Sequence, residues 1–303
     1  MYVVTGATGN TGRVVAETLL AKGKRVRVIG RSAQNLQSLV EKGAEAFVGS
    51  VADSSATLRA FQGAQAVYVM IPPSYTAQDF RAYQNEVGSA YSSAIRQAGV
   101  PFVVNLSSVG AQLSRGAGPI SGLYDVEQQL SRLDGLNVVH LRAAYFMENF
   151  FFGLDLIRSQ GIIGTPLRGD LPIPMIATRD IAQVAAELLL QLDFSGHLTK
   201  ELLGQRDISM HEATRIISKA IGKEGLAYVQ FPYEQAEQAM LAMGFSQDVS
   251  RSLNEMDQAL NEERVQPLEN RSPANTTPTS FEQFAESFAA VYRGREGAKA
   301  TGV

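Results

Sequence analysis

Short apolar runs alternate with amphipathic stretches of helical spacing through the first half of the chain. Residues 2–5, 25–29, 44–48, 66–71, 102–106 and 137–141 read as strands. Helical patterns lie between them at 13–20, 33–41, a segment capped by Asp53 that runs through Leu58 and Phe61, 77–98 and 124–133. Strand then helix, repeated, predicts an α/β fold: a doubly wound parallel sheet of Rossmann type with a smaller C-terminal α/β lobe. Pro72-Pro73 end the fourth strand, because proline brings no N–H to a ladder, and leave a loop at its carboxyl end. On the long helix, Phe80, Tyr83, Val87, Tyr91 and Ile95 share a face that reads as core or as a dimer contact.

Past Arg142 the alternation becomes irregular. A helix over 146–157, a short strand over 172–175 and an amphipathic helix over 181–192, capped within Thr178-Arg179-Asp180, are expected. Short helices near 211–220, 233–243 and 247–261, a strand over 227–231, a Pro/Asn/Thr-rich surface linker over 267–279 and a helix over 281–292 complete the pattern. The expected division is a dinucleotide-binding core over 1–155, a mixed remainder over 156–293 in which the last core strands interleave with a small substrate lobe, and a disordered tail over 294–303.

The first strand runs directly into Gly6-Ala7-Thr8-Gly9-Asn10-Thr11-Gly12 and then into a helix. A strand, a tight glycine turn and a helix N-terminus make an anion cradle, in which Gly6 takes the turn, Gly9 admits a pyrophosphate and Gly12 lets helix and strand close together. The spacing is GxxGxxG rather than GxGxxG, and its place between strand and helix gives it meaning. Thr8, Asn10 and Thr11 complete the loop's contribution to the cofactor site. The second strand ends in Gly30-Arg31-Ser32, where NAD-selective folds carry an acidic residue for the ribose. A guanidinium suits a 2′-phosphate instead, so NADP(H) is favoured over NAD(H), and Arg13 is a second cation for the same phosphate. Topology assigns Ser50 and Val51 to the adenine, Ile71 and Pro72 to the linking ribose, and Ser107 and Ser108 to the nicotinamide. A glycine- and serine-containing loop after Ser108 reads as a flap.

Composition narrows the classes. The 303 residues are 45% hydrophobic, enough for a large core, and carry a formal charge of −3 with a pI near 5.7. That balance offers no electrostatic footprint for nucleic acid or an anionic membrane. With no cysteine there is no disulfide or thiolate chemistry, and the three histidines have no metal-site spacing. His140 falls within a strand and reads as a core histidine. A strand from residue 2 and no apolar run near about eighteen residues make a cytoplasmic location the expectation.

Val4-Thr5-Gly6-Ala7-Thr8-Gly9-Asn10-Thr11-Gly12, Gly30-Arg31-Ser32, Asn105-Leu106-Ser107-Ser108, Leu141-Arg142 followed by Phe146-Met147-Glu148-Asn149, and Asp180-Ile181-Ala182 occur in that order. In them the chain resembles the NmrA-like branch of the atypical short-chain dehydrogenase/reductases over residues 1 to about 290. The resemblance implies an NAD(P)-binding Rossmann domain, a small C-terminal lobe and a substrate cleft between them. It also implies one of two functions: an NADPH-dependent reductase of quinones, azo compounds or triphenylmethane dyes, or a redox-sensing regulator acting through a protein partner.

Ordinary short-chain dehydrogenases pair a tyrosine with a lysine four positions later. Here the tyrosine is Tyr124, but Gln128 stands in the lysine's place and no lysine occurs between Lys42 and Lys200. Glutamine cannot supply the charge that brings a phenol's pKa down from about 10. Tyr124 is thus a weak candidate acid, and an acceptor that is already electron-poor fits best, since it chiefly requires apposition to the nicotinamide. The aromatic segment 145–152 suits the wall of such a pocket, with Tyr145, Phe146 and Asn149 as substrate-side candidates. A small-molecule acceptor is the expected partner, and the chain is expected to be a monomer or homodimer.

Overall fold

The computed structural model describes residues 1–294. Twelve strands occur in it: β1 (Tyr2–Val4), β2 (Val26–Gly30), β3 (Glu45–Val48), β4 (Ala66–Val69), β5 (Phe102–Ser108), β6 (Asn137–Ala143), β7 (Tyr145–Phe146), β8 (Ile162–Thr165), β9 (Ile173–Ile176), β10 (His197–Leu202), β11 (Asp207–Ile208) and β12 (Ala227–Gln230). The helices are α1 (Asn10–Ala21), α2 (Ala33–Val40), α3 (Ser54–Phe61), α4 (Phe80–Ala98), α5 (Pro119–Ser131), α6 (Leu154–Gln160), α7 (Thr178–Gln191), α8 (Met210–Ile221), α9 (Tyr233–Ala242), α10 (Gln247–Asn261) and α11 (Phe281–Tyr292).

Seven strands make one parallel sheet in the order β10-β6-β5-β4-β1-β2-β3. The chain winds outward from β1 through β2 to β3, then returns to β4 and winds the other way. This switch opens a crevice at the carboxyl ends of β1 and β4. Alternation along each strand sorts side chains between two cores. Tyr2, Val4, Tyr68, Val104, Leu106, Val139 and Leu141 face one side, with α1 and α7, whereas Val3, Val67, Val69, Val103 and Val138 face the other, with α3, α4 and α5. The stripe on α4 goes into this second core, where Val87, Tyr91 and Ile95 are buried and Tyr91 stacks on Phe61.

Several boundaries differ from expectation. α1 begins at Asn10 rather than residue 13, so the last three residues of the glycine turn are already helical. α5 begins at Pro119 rather than residue 124, since proline fits the first helical turn and Gly118 takes a positive φ of 54° to enter it. The loop before it is no free flap. Gly118 N–H donates to Glu255 (3.1 Å), Gln112 Nε2 to the Gln266 carbonyl (3.1 Å) and Arg81 to the Ser114 carbonyl (2.8 Å), and the Arg264 guanidinium reaches the Gly116 carbonyl.

The helix expected over 146–157 is instead β7, a 3-10 segment (Met147–Gly153) and α6. Glu148 explains the break: its carboxylate accepts the Thr178 N–H (3.0 Å) and Oγ1–H (2.7 Å), capping α7 from a distance. The expected cap within 178–180 is therefore displaced, and Asp180 accepts from Thr279 N (2.9 Å) and Oγ1 (2.6 Å) instead. The stretch over 267–279 is likewise more than a surface linker. Asn275, Thr277 and Thr279 are buried, and the buried Glu201 carboxylate at the end of β10 accepts the N–H groups of Leu268 (3.0 Å) and Glu269 (2.9 Å). Of the tail expected over 294–303, all but Gly294 lies outside the described residues.

One buried ion pair joins the sheet to its helices. Arg142 on β6 makes a forked contact with Glu127 on α5 (2.7 and 3.0 Å), Ser107 on β5 donates to the same carboxylate (2.6 Å), and Arg142 also reaches Gln112 (3.3 Å). With 9% and 4% side-chain exposure, neither charge has water to fall back on. Glu127→Leu should therefore lower unfolding free energy by about 3–5 kcal/mol in denaturant titrations. Replacing Arg142 by Met in the same chain should recover much of that loss, because a missing partner costs more than a missing pair.

Candidate functional site

The glycine turn sits at the crevice between β1 and β4. Gly6 has φ 59°, and its N-terminal neighbour Thr5 accepts the Met70 N–H through Oγ1 (3.1 Å), which ties the turn to the end of β4. A Cβ on Gly12 would stand 2.4 Å from the Gly6 carbonyl oxygen, so the packing of α1 on β1 allows no side chain there. At Gly9 the nearest atom to such a Cβ is 3.4 Å away, so that face of the turn is open. Gly9 caps α1 with extended backbone (φ −90°, ψ 178°) and no side chain, so the N–H groups of Thr11 and Gly12 have no acceptor within the helix. The Thr11 side chain is withdrawn from this face: it is buried and its hydroxyl accepts from Tyr68 (2.9 Å).

Two cations stand near the turn. Arg13 is half-buried, reaches the Thr8 carbonyl (3.5 Å) and has a buried Nε with no hydrogen-bond partner. Arg31, just past β2, is exposed and forms no ion pair among the described residues, and its charge acts on the Tyr83 hydroxyl. Ser50 and Val51 follow β3, and Ile71 and Pro72 follow β4, all at the carboxyl edge of the sheet. Val51 is buried, and its carbonyl accepts from Thr57 (3.0 Å). The Pro72 carbonyl accepts from Tyr83 (3.1 Å), which holds that loop. An orphaned cationic nitrogen, an unpaired guanidinium and a helix start without a side-chain cap together fit a phosphorylated dinucleotide.

Ser107 and Ser108 end β5, but they differ. Ser107 is buried with its proton committed to Glu127, whereas Ser108 is half-buried and donates to the Val109 carbonyl (2.9 Å). Tyr124 lies half-buried on α5, one turn ahead of Glu127, with no hydrogen bond among the described residues. Gln128 follows Glu127, so the buried charge near this tyrosine is a carboxylate already saturated by Arg142. His140 is a core residue, between Asn105 (3.0 Å) and Ser131 (3.0 Å), and burial lowers its pKa to about 4.

The aromatic segment divides in three. Tyr145 and Phe146 form β7 at the carboxyl end of β6, and the Tyr145 hydroxyl meets the Asn149 side chain, its pKa raised by burial. Phe150 and Phe151 belong to the joint with α11, packing on Phe281 (5.3 Å) and Phe288 (5.2 Å), and so leave the expected wall. Phe152, 49% exposed, lies edge-on to Tyr75 (6.3 Å), which stacks on Phe245 (4.5 Å). These three rings come from the 3-10 segment, the loop after β4 and the turn before α10. One acidic residue of the region has no forerunner in the pattern of motifs: Asp257 on α10, whose charge reaches the Tyr145 hydroxyl. Among the described residues no His, Cys, Asp and Glu group could hold a metal, and no helix is long and apolar enough to cross a membrane.

Comparison with known proteins agrees with this architecture. An NAD(P)H azoreductase of Xenophilus azovorans is 26% identical over 300 residues, covering 96% of this chain and 99% of its own. The triphenylmethane reductase of Citrobacter sp., solved with NADP(H), superposes with a TM-score of 0.78 at 20% identity, covering 95% of this chain and 100% of its own. The NADPH-dependent quinone oxidoreductase of Escherichia coli, solved with NADPH, gives 0.72 at 20% identity, over 95% and 99%. The model of the NmrA-like family matches residues 2–286, and the chain belongs to that family.

Proposed function

We propose that the protein is an NADPH-dependent reductase that passes hydride to a small, flat, electron-poor acceptor of the quinone, azo or triphenylmethane dye type. The observation that carries this reading is the pairing, at one edge of the sheet, of the uncapped start of α1 with the unpaired Arg31. The first suits a pyrophosphate and the second a 2′-phosphate. The matched relatives, named for azoreduction, dye reduction and quinone reduction with NAD(P)H, support the acceptor class.

Bound NADPH would supply a hydride at C4 of its nicotinamide. The protein's own part is chiefly to bind, to orient and to keep water out. Gly6, Gly9 and Gly12 with the first turn of α1 hold the diphosphate, and Arg31 with Arg13 selects the phosphorylated ribose. Ile71, Pro72, Ser107 and Ser108 line the path toward the nicotinamide. Tyr145, Phe146 and Asn149 form the acceptor side of the cleft, and the rim of Tyr75, Phe152 and Phe245 offers π-faces to a planar ring. Tyr124, lacking a neighbouring lysine, is a cleft residue rather than a strong acid.

Nicotinamide fluorescence titrations should show NADPH binding at least about tenfold more tightly than NADH. Arg31→Glu should weaken NADPH binding about 10- to 100-fold, the loss expected when a charge-assisted phosphate contact becomes a repulsion. Gly9→Ala separates binding from folding. With only an ordinary contact awaiting its methyl group, its stability should change by less than about 1 kcal/mol, while NADPH affinity falls at least about tenfold. Steady-state oxidation of NADPH with quinones, azo dyes and triphenylmethane dyes then tests the reaction. Tight binding with no turnover on any of them would instead support the redox-sensing reading.

A further inference from the structure

The seven-stranded sheet ends at β10, which has β6 on one side only. Helix α7 buries Ala182, Ala185 and Leu189 in the core it shares with β4, β5 and β6. Val184, Glu187 and Leu188, at i, i+3 and i+4, share the neighbouring face of the same helix. Lys200 and Leu202 stand two apart on β10 and so point to one side of the strand. Between these two faces and the irregular stretch over 274–277 lies a cavity of about 290 Å³. The third wall is fixed: Leu203 N–H donates to the Asn275 carbonyl (2.8 Å), and the Asn275 carboxamide donates to the Asn270 carbonyl (3.0 Å). β6 and β5 separate β10 from β4, so this cavity stands apart from the crevice at the glycine turn.

Its lining is of two kinds. Leu202 is buried and Val184 and Leu188 are half-buried, and together they give an apolar surface. Glu187 from the helix and Lys200 from the strand bring opposite charges, yet among the described residues neither has an ion pair. Lys200 spends one of its three donors on the Ala274 carbonyl (2.9 Å), which leaves two. The Glu187 carboxylate has no hydrogen bond among the described residues. On the third wall Thr277, 4% exposed, carries a buried hydroxyl without a partner. Two uncompensated charges of opposite sign at one hollow, beside an apolar surface, are complementary to a ligand with both charges and a hydrocarbon part. The volume is at the small end of ligand sites and leaves no room for a dinucleotide.

We infer that this cavity binds an aliphatic α-amino acid as a free zwitterion, at a site separate from that of the proposed reductase. The ligand's ammonium meets the Glu187 carboxylate, its carboxylate meets Lys200 Nζ, and its side chain lies against Val184, Leu188 and Leu202. A carboxylic acid without the amine leaves Glu187 unanswered, and an amine without the carboxylate leaves Lys200 so. Either half-ligand therefore loses one of two charge-assisted contacts.

That pairing supplies the test. Calorimetric titration of the whole chain with L-leucine should show one saturable site, with a Kd of about 1 mM or below. Isovalerate, which lacks the ammonium, and isopentylamine, which lacks the carboxylate, should each bind at least about tenfold more weakly. Glu187→Gln and Lys200→Gln remove one charge at a time, and each should weaken L-leucine binding at least about tenfold. Both side chains reach solvent, so neither variant should melt more than about 2 °C below the wild type. Absence of saturable L-leucine binding up to about 10 mM would overturn the inference. So would binding untouched by both substitutions, or isovalerate binding as well as L-leucine.

NADPH in the same samples keeps the two sites apart. L-leucine should bind equally, within about twofold, with and without NADPH, because the sites share no residue. Displacement of one by the other would put leucine in the crevice and overturn the assignment. A protein that takes up L-leucine as described but binds no NADPH would support this site and count against the reductase reading alone.

Discussion

The structure depends on a carboxylate and a guanidinium that have left water together. Glu127 and Arg142 tie α5 to β6, draw Ser107 at the end of β5 into the same cluster, and hold the following loop through Gln112. Because both charges are buried, their geometry is all or nothing, and an unpaired member would cost more than the pair returns. The cluster thereby makes the carboxyl ends of two central strands rigid. Ser107, Glu127 and Arg142 are spent on one another.

The C-terminal part of the chain is pinned to the sheet on several sides. The loop after β4 is stitched to the turn before α10 by Ser246, whose N–H and Oγ–H reach the carbonyls of Tyr75 (2.8 Å) and Ala77 (2.5 Å). Asp248 then accepts the Phe80 N–H (2.7 Å) at the start of α4, and Glu255 accepts from Gly118 at the start of α5 (3.1 Å). One helix is thus fastened to two helices of the neighbouring layer. On the far side, Asp180 and Glu201 hold the irregular stretch before α11 through its backbone N–H groups. A segment without regular structure can be buried there because its donors are satisfied.

Six of the sheet's seven strands were legible because their signals are local, whereas β10 was not picked out. The apolar runs around Val3-Val4 and Val103-Val104, the proline stop at residue 72 and the glycines between β1 and α1 each act within a few residues. The cofactor loop shares that advantage, and Gly12 is confined by a carbonyl only six positions away. What escaped the reading is held by distant partners. Glu148 turns a helical pattern into a 3-10 segment by serving a residue thirty positions on. Phe150 and Phe152 are alike in sequence, yet α11 takes the first and the rim takes the second. Asp257 looks like any acid on an amphipathic helix, since its lack of a partner is a property of what packs around α10.

Glu148 has a consequence for how such a site can diverge. It lies between Phe146 and Asn149, which the proposed function puts on the acceptor side, and it caps α7, the helix that packs beside α1. Wall and cradle therefore share one reference frame, and a change that shifts either disturbs both. The aromatic rim is free of that coupling: Phe152 is half in solvent, and Tyr75 and Phe245 lie on connecting segments. In the proposed reductase, replacements at those three positions leave the frame in place, so new acceptor shapes can be explored there by single steps without moving the wall or the cradle.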